Sequence, residues 1–194
     1  MPQNADFARL VSLACHDLRT PLATAGGFAK TLTRLGELDE TSARYVGIIE
    51  EATAQMAELL NELSLVARIE AGRYEPTTAE ADTLELARGS AQRLGEDRVE
   101  VEGEGGTVRV DVEATGRAVS ALAQCALRHG GLEQVTVAAN GPEVTIAPIT
   151  AASAPVVLGE DLRDLGAAVA VRLVSALGGS VELDGETLRI RLPS

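Results

Sequence analysis

The sequence predicts an α+β protein in which an N-terminal antiparallel helical hairpin precedes a two-layer α/β sandwich. Two observations support this fold class. Apolar residues recur at alternating steps of three and four through most of the first seventy residues, as on one face of a helix. Beyond them, segments that alternate apolar and polar residues are separated by helical stretches and by turn dipeptides. We therefore predict a helical domain at 1–73, a linker at 74–81 and an α/β domain at 82–194.

The first helix carries an unbroken apolar seam, and a second seam follows after a short interruption. Gly36 and Asp39, a candidate N-cap, separate the two helices, and Gly72 offers a C-terminal stop. The first seam comprises Phe7, Val11, Ala14, Leu18, Pro21, Ala25, Phe28, Leu32 and Leu35, and the second comprises Val46, Ile49, Thr53, Met56, Leu60, Leu63 and Ala67. A lone hairpin with so much apolar surface would expose one apolar side to water. We therefore expect a homodimer that closes a four-helix bundle.

One turn of the first helix combines a histidine with a helix breaker. His16 falls on the face opposite the seam, with Thr20 four residues further on the same face and Asp17 beside it. Pro21 has no N–H to donate to the carbonyl of Asp17, a defect that costs about 3 kcal/mol in a helix interior. A neutral imidazole is a good nucleophile near neutral pH, and the adjacent carboxylate can take its second ring proton.

The second half reads in the order α-β-β-α-β-β-α-β-β. The segments include a helix from about Asp82 to Leu94, a hairpin over Asn140-Gly141 and a second hairpin over Asp184-Gly185. Helices on one face of a mixed sheet form a two-layer sandwich.

Composition limits the function further. Apolar residues make up 45% of the chain and aromatic residues 2%, so we expect an aliphatic core and no base-stacking platform. A net charge of −12 argues against a nucleic-acid partner. No run of 18 apolar residues exists, so we expect a cytoplasmic protein with no membrane partner. Cys15 and Cys125 are too few and too far apart for a disulfide framework or a metal centre, and both read as apolar fillers.

The motif around His16 resembles the H-box of sensor histidine kinases, the core of which is His-Glu/Asp-x-x-Thr/Asn-Pro-Leu. The stretch "SLACHDLRTPLATAGGFAKTL" carries the motif, and the Arg-Ile-Glu-Ala-Gly ending of the second helix resembles the same dimerisation and phosphoacceptor domain. The resemblance implies that His16 is phosphorylated, that Asp17 accepts or orients its ring proton, and that Thr20 positions water in dephosphorylation.

The resemblance also implies partners. A response-regulator receiver domain would dock on the bundle near the phosphoacceptor, and its own acidic site would supply Mg²⁺. The expected docking residues are Leu10, Leu13, Arg19, Leu59, Asn61 and Leu63.

The α/β half resembles the Bergerat-type ATPase domain of histidine kinases, but its nucleotide boxes are degenerate. Ala121 and Cys125 stand where the asparagine box belongs, and a thiol is a poor ligand for Mg²⁺. His129 follows that box at a helix end, where we read it as structural. The remaining departures are Pro148, Thr150 and Ala152 at the Asp-x-Gly-x-Gly box and Asp164 at the Gly-x-Gly box. The segments are also too close together for a long ATP lid, so we expect no bound ATP and no cofactor.

The function that fits these features is phosphorelay: His16 accepts a phosphoryl group from one receiver aspartate and donates it to another without ATP. Two alternatives remain open. One is an active sensor histidine kinase with an atypical ATP site, and the other is a non-catalytic pseudokinase or phosphatase adaptor for a response regulator.

Overall fold

The computed structural model describes residues 2–193 and the side chains of residues 6–193. The chain divides into two compact units, Met1–Arg73 and Tyr74–Ser194, and the boundary falls where the predicted linker begins. Within residues 2–193, no helix combines the length and the apolar character needed to cross a bilayer.

The first unit is a hairpin of two long helices. These are α1 (Pro2–Leu35) and α2 (Glu40–Glu70). Gly36 ends α1 with a φ of +69°, a left-handed conformation that glycine adopts without steric cost. Asp39 caps α2, and its carboxylate accepts a hydrogen bond from the Ser42 N–H at 2.8 Å. This bond and a second from the Ser42 hydroxyl lower the pKa of Asp39.

The two helices pack through a stripe of small side chains. Ala8, Cys15 and Ala29 on α1 are each at most 5% exposed. At Gly26, an added Cβ would lie only 3.1 Å from Thr53 Oγ1 on α2. Small residues at the contact let helices approach closely. This stripe lies one position beyond the apolar seam that the sequence predicts for α1.

The predicted seam of α1 lies mainly on an exposed face of the hairpin and not at the contact between α1 and α2. Phe7 and Phe28 are 67% and 69% exposed, and Leu18 and Leu35 are exposed as well. The second seam divides: Val46 and Ala67 are buried, whereas Ile49 and Met56 are exposed. Each helix therefore has two adjacent apolar stripes, and the stripe with smaller residues on α1 forms the contact within the chain.

The second unit contains seven strands and four helices. The predicted order lacks two of these elements. One is β1, most of which lies in the last part of the expected linker, and the other is the short helix α5. In chain order the elements are β1 (Ala79–Asp82), α3 (Thr83–Leu94), β2 (Val99–Gly105), β3 (Thr107–Val110), α4 (Val112–Gly130), β4 (Val135–Asn140), β5 (Glu143–Ala147), α5 (Ala154–Val157), α6 (Leu165–Ala176), β6 (Ser180–Asp184) and β7 (Thr187–Arg191).

Five strands form a mixed sheet in the order β2-β4-β5-β7-β6. β2 pairs parallel to β4, and the other neighbours are antiparallel. Both predicted hairpins, β4–β5 and β6–β7, are present. One face of the sheet is buried along the three central strands β4, β5 and β7, as the paired residues Val137 and Ile146 and the next partner Leu188 illustrate at 0% exposure. The opposite face is only half-buried, as expected for a two-layer sandwich.

The observed main sheet has one strand fewer than the sequence predicts. β3 does not join it but pairs antiparallel with β1 in a separate two-stranded sheet. The pairing places Ala79 opposite Val110 and Asp82 opposite Thr107. A polar four-residue strand such as β1 has little sequence signal of its own, because its partner rather than its composition defines it.

Candidate functional site

His16 lies in the middle of α1 with its imidazole fully accessible. The side chain is 78% exposed, and its Nδ1 lies 3.2 Å from Oδ1 of Asp17. When Nδ1 carries the ring proton and donates it to that carboxylate, the lone pair of Nε2 points away from the pair. The arrangement gives an outward-facing nucleophile, and the Asp17 carboxylate favours the tautomer with the proton on Nδ1.

Thr20 and Pro21 form the next turn of the same helix, and both are exposed. The helix continues through Pro21, which leaves the Asp17 carbonyl without its usual backbone donor. The Thr20 carbonyl accepts a hydrogen bond from the Thr24 hydroxyl at 2.9 Å. His16, Asp17 and Thr20 therefore lie within two turns of an accessible and locally weakened helix.

The residues expected to dock a receiver lie along α1 and α2. Leu10, Leu13 and Leu59 are exposed, and Leu63 is half-buried. Arg19 donates from Nη2 to Oδ1 of Asn61 at 3.0 Å, which ties α1 to α2 one turn after His16. The structure thus brings Arg19 and Asn61 together and leaves three of the four leucines exposed.

A second cluster lies in the α/β unit, where the start of α6 meets the last turns of α4. Asp164 caps α6 and is 9% exposed, and its Oδ1 accepts the Ala167 N–H at 3.0 Å. Its Oδ2 lies 3.1 Å from Nε2 of His129 and 3.4 Å from Nη1 of Arg128. Asp164 thereby fastens one end of α6 to α4.

Cys125 belongs to the same cluster. It is 0% exposed, and a ligand atom of Cys125 lies within 4.8 Å of one each from His129 and Asp164. Burial, followed by the negative charge of Asp164, raises the pKa of the thiol to about 12. The thiol is therefore protonated and unreactive at neutral pH.

The other positions of the degenerate boxes lie around this cluster or in the segment after β5. Ala121 is half-buried on α4, one turn before Cys125. Pro148 and Ala152 are exposed, whereas Thr150 is half-buried and donates its N–H to Ser153 Oγ at 3.1 Å. An added Cβ at Gly130 would lie 3.3 Å from Thr150 Oγ1, so this segment packs against the end of α4.

From the sequence we predict only a structural role for His129, whereas the structure places it in this cluster. The available signal was its spacing of four from Cys125, which puts both side chains on one face of α4. Its meeting with Asp164 had no comparable signal, because 35 residues separate the two positions.

The helical unit matches a known protein family. Residues 8–72 match the family described as "His Kinase A (phospho-acceptor) domain". The helical unit is therefore similar to the phosphoacceptor domains of histidine kinases. The match includes His16, Asp17, Thr20 and Pro21, and it confirms the resemblance on which the H-box prediction rests.

Relatives of the chain include histidine kinases. Histidine protein kinase DivJ of Caulobacter vibrioides is 30% identical over 175 residues, which cover 84% of this chain and 29% of DivJ. The crystal structure of full-length ShkA in complex with AMPPNP matches with a TM-score of 0.70 at 23% identity, over 94% of this chain and 44% of that one. The chain thus spans less than a third of DivJ and less than half of ShkA.

The ATP-binding domain of PrrB from Mycobacterium tuberculosis matches with a TM-score of 0.50 at 20% identity, over 61% of this chain and 98% of that domain. At these identities the two structures establish the fold alone. The helical unit is therefore followed by an α/β unit with the fold of histidine kinase ATPase domains.

Proposed function

We propose that the chain is a phosphorelay protein in which His16 receives a phosphoryl group from a receiver-domain aspartate and passes it to another. The observation that carries the proposal is a contrast between the two units. The phosphoacceptor turn is intact and exposed, whereas a closed Cys125–His129–Asp164 cluster occupies positions that resemble the nucleotide boxes of kinases.

The transfer step follows from the geometry at His16. The lone pair of Nε2 attacks the phosphorus of an aspartyl phosphate, the N–P bond forms and the O–P bond breaks. The electron pair leaves with the receiver's carboxylate. Nδ1 keeps its proton and, 3.2 Å away, the Asp17 carboxylate stabilises the positive charge that develops on the ring. The reverse step returns the phosphoryl group to a second receiver.

The residues of the α/β unit do not fit Mg²⁺-ATP, and this misfit supports an ATP-independent role. Magnesium prefers oxygen ligands, but the position that resembles its asparagine ligand holds the buried, protonated thiol of Cys125. A glycine in the Gly-x-Gly box would allow backbone to approach phosphate, whereas Asp164 puts a carboxylate there. That carboxylate is also committed to the α6 cap, His129 and Arg128.

Dimerisation forms part of the proposal. The exposed stripe with Phe7, Leu18 and Phe28 provides an apolar surface that a second copy would cover in a four-helix bundle. The receiver would dock beside His16, against Leu10, Leu13, Arg19, Leu59, Asn61 and Leu63, and it would bring the Mg²⁺ needed for transfer.

An ATP-dependent kinase is the second candidate, because the similarity to DivJ extends over 84% of the chain and ShkA shares the fold of both units. Under this alternative the ATPase-like domain binds nucleotide through residues other than the altered boxes. The two functions predict different responses to Mg²⁺-ATP. A ligand present at 100 times its Kd raises stability by about 2.7 kcal/mol, so nucleotide binding would appear as a clear increase in Tm.

The test of phosphorelay uses a phosphorylated receiver domain as donor. We expect label to move to the protein as an acid-labile phosphohistidine, to be lost in His16→Gln and to be retained in His129→Gln. His129 is the matched control because it is the chain's other histidine. Transfer retained in His16→Gln would refute the assignment, and a receiver that loses phosphate without labelling the protein would indicate a phosphatase instead.

A further inference from the structure

Three side chains with different metal-binding atoms converge at the junction of α4 and α6. Cys125 offers a sulfur, His129 a ring nitrogen and Asp164 a carboxylate oxygen, and all three atoms lie within 4.8 Å of one another. The side chains of His129 and Asp164 are only 19% and 9% exposed, and Cys125 is fully buried. A sulfur, a nitrogen and an oxygen thus converge in a mostly buried site, as the ligands of a Zn²⁺ site do.

Each of the three side chains is held by regular structure. Cys125 and His129 are four residues apart on α4, so both project from one face of a rigid helix. Asp164 is fixed by its capping bond from Oδ1 to the Ala167 N–H, and its Oδ2 faces His129. The cluster is therefore preorganised, with its three ligand atoms close together in the metal-free chain.

We propose that Cys125, His129 and Asp164 bind a thiophilic divalent cation of the Zn²⁺ class. One sulfur, one nitrogen and one oxygen form a mixed ligand set that suits Zn²⁺ or Co²⁺ and disfavours Mg²⁺ and Ca²⁺, which prefer oxygen ligands throughout. Water entering beside His129, the most accessible of the three, would supply a fourth ligand. This inference goes beyond the proposed phosphorelay and does not depend on it.

Charge balance permits the ion to replace its competitor. In the metal-free site Asp164 pairs with Arg128, whose Nη1 lies 3.4 Å from Oδ2. The Arg128 side chain is 61% exposed and can move into solvent. A dication with one thiolate, one carboxylate and a neutral imidazole forms a neutral site, and the thiol loses its proton to water when the metal–sulfur bond forms. Arg163, the other nearby cation, forms an ion pair with Asp161.

The bound ion would link two helices. It would join the C-terminal turns of α4 to the capping residue of α6, beside the segment that packs against Gly130. A structural ion at this junction would stabilise the α/β unit and hold the altered nucleotide region closed.

The test titrates the full chain, freed of metal by a chelator, with Zn²⁺ alone and with Co²⁺ alone. We expect one Zn²⁺ per chain by metal analysis, an increase in Tm, and a thiolate-to-cobalt charge-transfer band in the near ultraviolet. Cys125→Ser should abolish that band, and His129→Gln and Asp164→Asn should weaken binding by about tenfold or more. Cys15→Ser is the matched control, because it removes the chain's other buried cysteine and should leave the band unchanged.

Two outcomes overturn the proposal: no cobalt–thiolate band in the wild-type chain, or equal Zn²⁺ binding by Cys125→Ser. Arg128→Ala keeps the test informative if a ligand variant fails to fold. Removal of the competing guanidinium should tighten Zn²⁺ binding, and unchanged or weaker binding would count against the site.

Discussion

At the residue scale, the two histidines of the chain lie in opposite surroundings. His16 is exposed beside an exposed Asp17, whereas His129 is mostly buried against a buried Asp164. An exposed imidazole can be reached by another protein, which transfer to or from a receiver requires. A buried imidazole fixed by a carboxylate is suited to holding structure or an ion. The same pair of residue types thus lies in two different environments.

The raised pKa of Cys125 predicts a loss of stability at alkaline pH. In the metal-free protein, the folded state keeps the thiol protonated up to about pH 12, while the unfolded chain loses that proton near the ordinary value of 9.0. The stabilising contribution is therefore complete below about pH 9 and is lost as the pH rises toward 12.

We expect the free energy of unfolding of wild type to fall more steeply over this range than that of Cys125→Ala, as measured by urea unfolding in the presence of chelator. Cys15→Ala controls for the loss of a buried cysteine and should keep the wild-type slope. Parallel curves for wild type and Cys125→Ala would contradict the predicted cause.

At the element scale, the start of α2 depends on one side chain. Asp39 accepts hydrogen bonds from both the N–H and the hydroxyl of Ser42, and these bonds lower its pKa. The contribution of a carboxylate with a lowered pKa is present above its unfolded value and is lost as the pH falls through the folded value. We expect Asp39→Ala to lower the Tm at pH 7 and to differ less from wild type in strong acid. A pH-independent difference would indicate that the carboxylate charge has no part in the cap.

The contact between α1 and α2 predicts opposite effects at two adjacent glycines. A Cβ at Gly26 would lie 3.1 Å from Thr53 Oγ1, whereas a Cβ at Gly27 would meet nothing within 4 Å. We expect Gly26→Leu to destabilise the hairpin by about 1–3 kcal/mol through overpacking. Gly27→Leu is the matched control and should be neutral or stabilising, because leucine favours helix more than glycine does. Equal effects in urea unfolding would refute the close approach.

Much of the element order could be predicted from local signals. Asp39 and Gly36 mark the hairpin loop, and the dipeptides Asn140-Gly141 and Asp184-Gly185 mark two strand turns, because each acts on backbone within a few residues of itself. The sequence does not predict β1, because its partner, β3, is more than twenty residues away along the chain.

The sequence also does not predict which of two adjacent apolar stripes packs against the other helix. Periodicity identifies apolar faces, but Phe7 and Ala8 belong to neighbouring stripes with similar spacing. Side-chain size decides which stripe faces the other helix of the same chain, and periodicity does not report size. At the candidate site, the H-box could be read from contiguous residues. The cluster of Cys125, His129 and Asp164 could not, because it forms only when α4 and α6 pack together.

At the scale of the whole molecule, the exposed apolar stripe of α1 predicts a homodimer. Phe28 is 69% exposed on this stripe, so burying it against a second copy would be favourable. We expect wild type to elute as a dimer in size-exclusion chromatography with light scattering and Phe28→Glu to become monomeric. Ala23→Glu, at an exposed position outside the stripe, should remain a dimer. A monomeric wild type would contradict the bundle.

One dual-label experiment distinguishes the two possible sources of a phosphoryl group on His16. The protein is mixed with Mg²⁺, ATP labelled at the γ-position with one phosphorus isotope and a receiver domain phosphorylated with another, and the two labels on His16 are counted over time. If the chain is a phosphorelay protein, the receiver's isotope accumulates on His16 and the ATP isotope does not. Accumulation of the ATP isotope, lost in His16→Gln, would contradict the account and identify an ATP-dependent kinase.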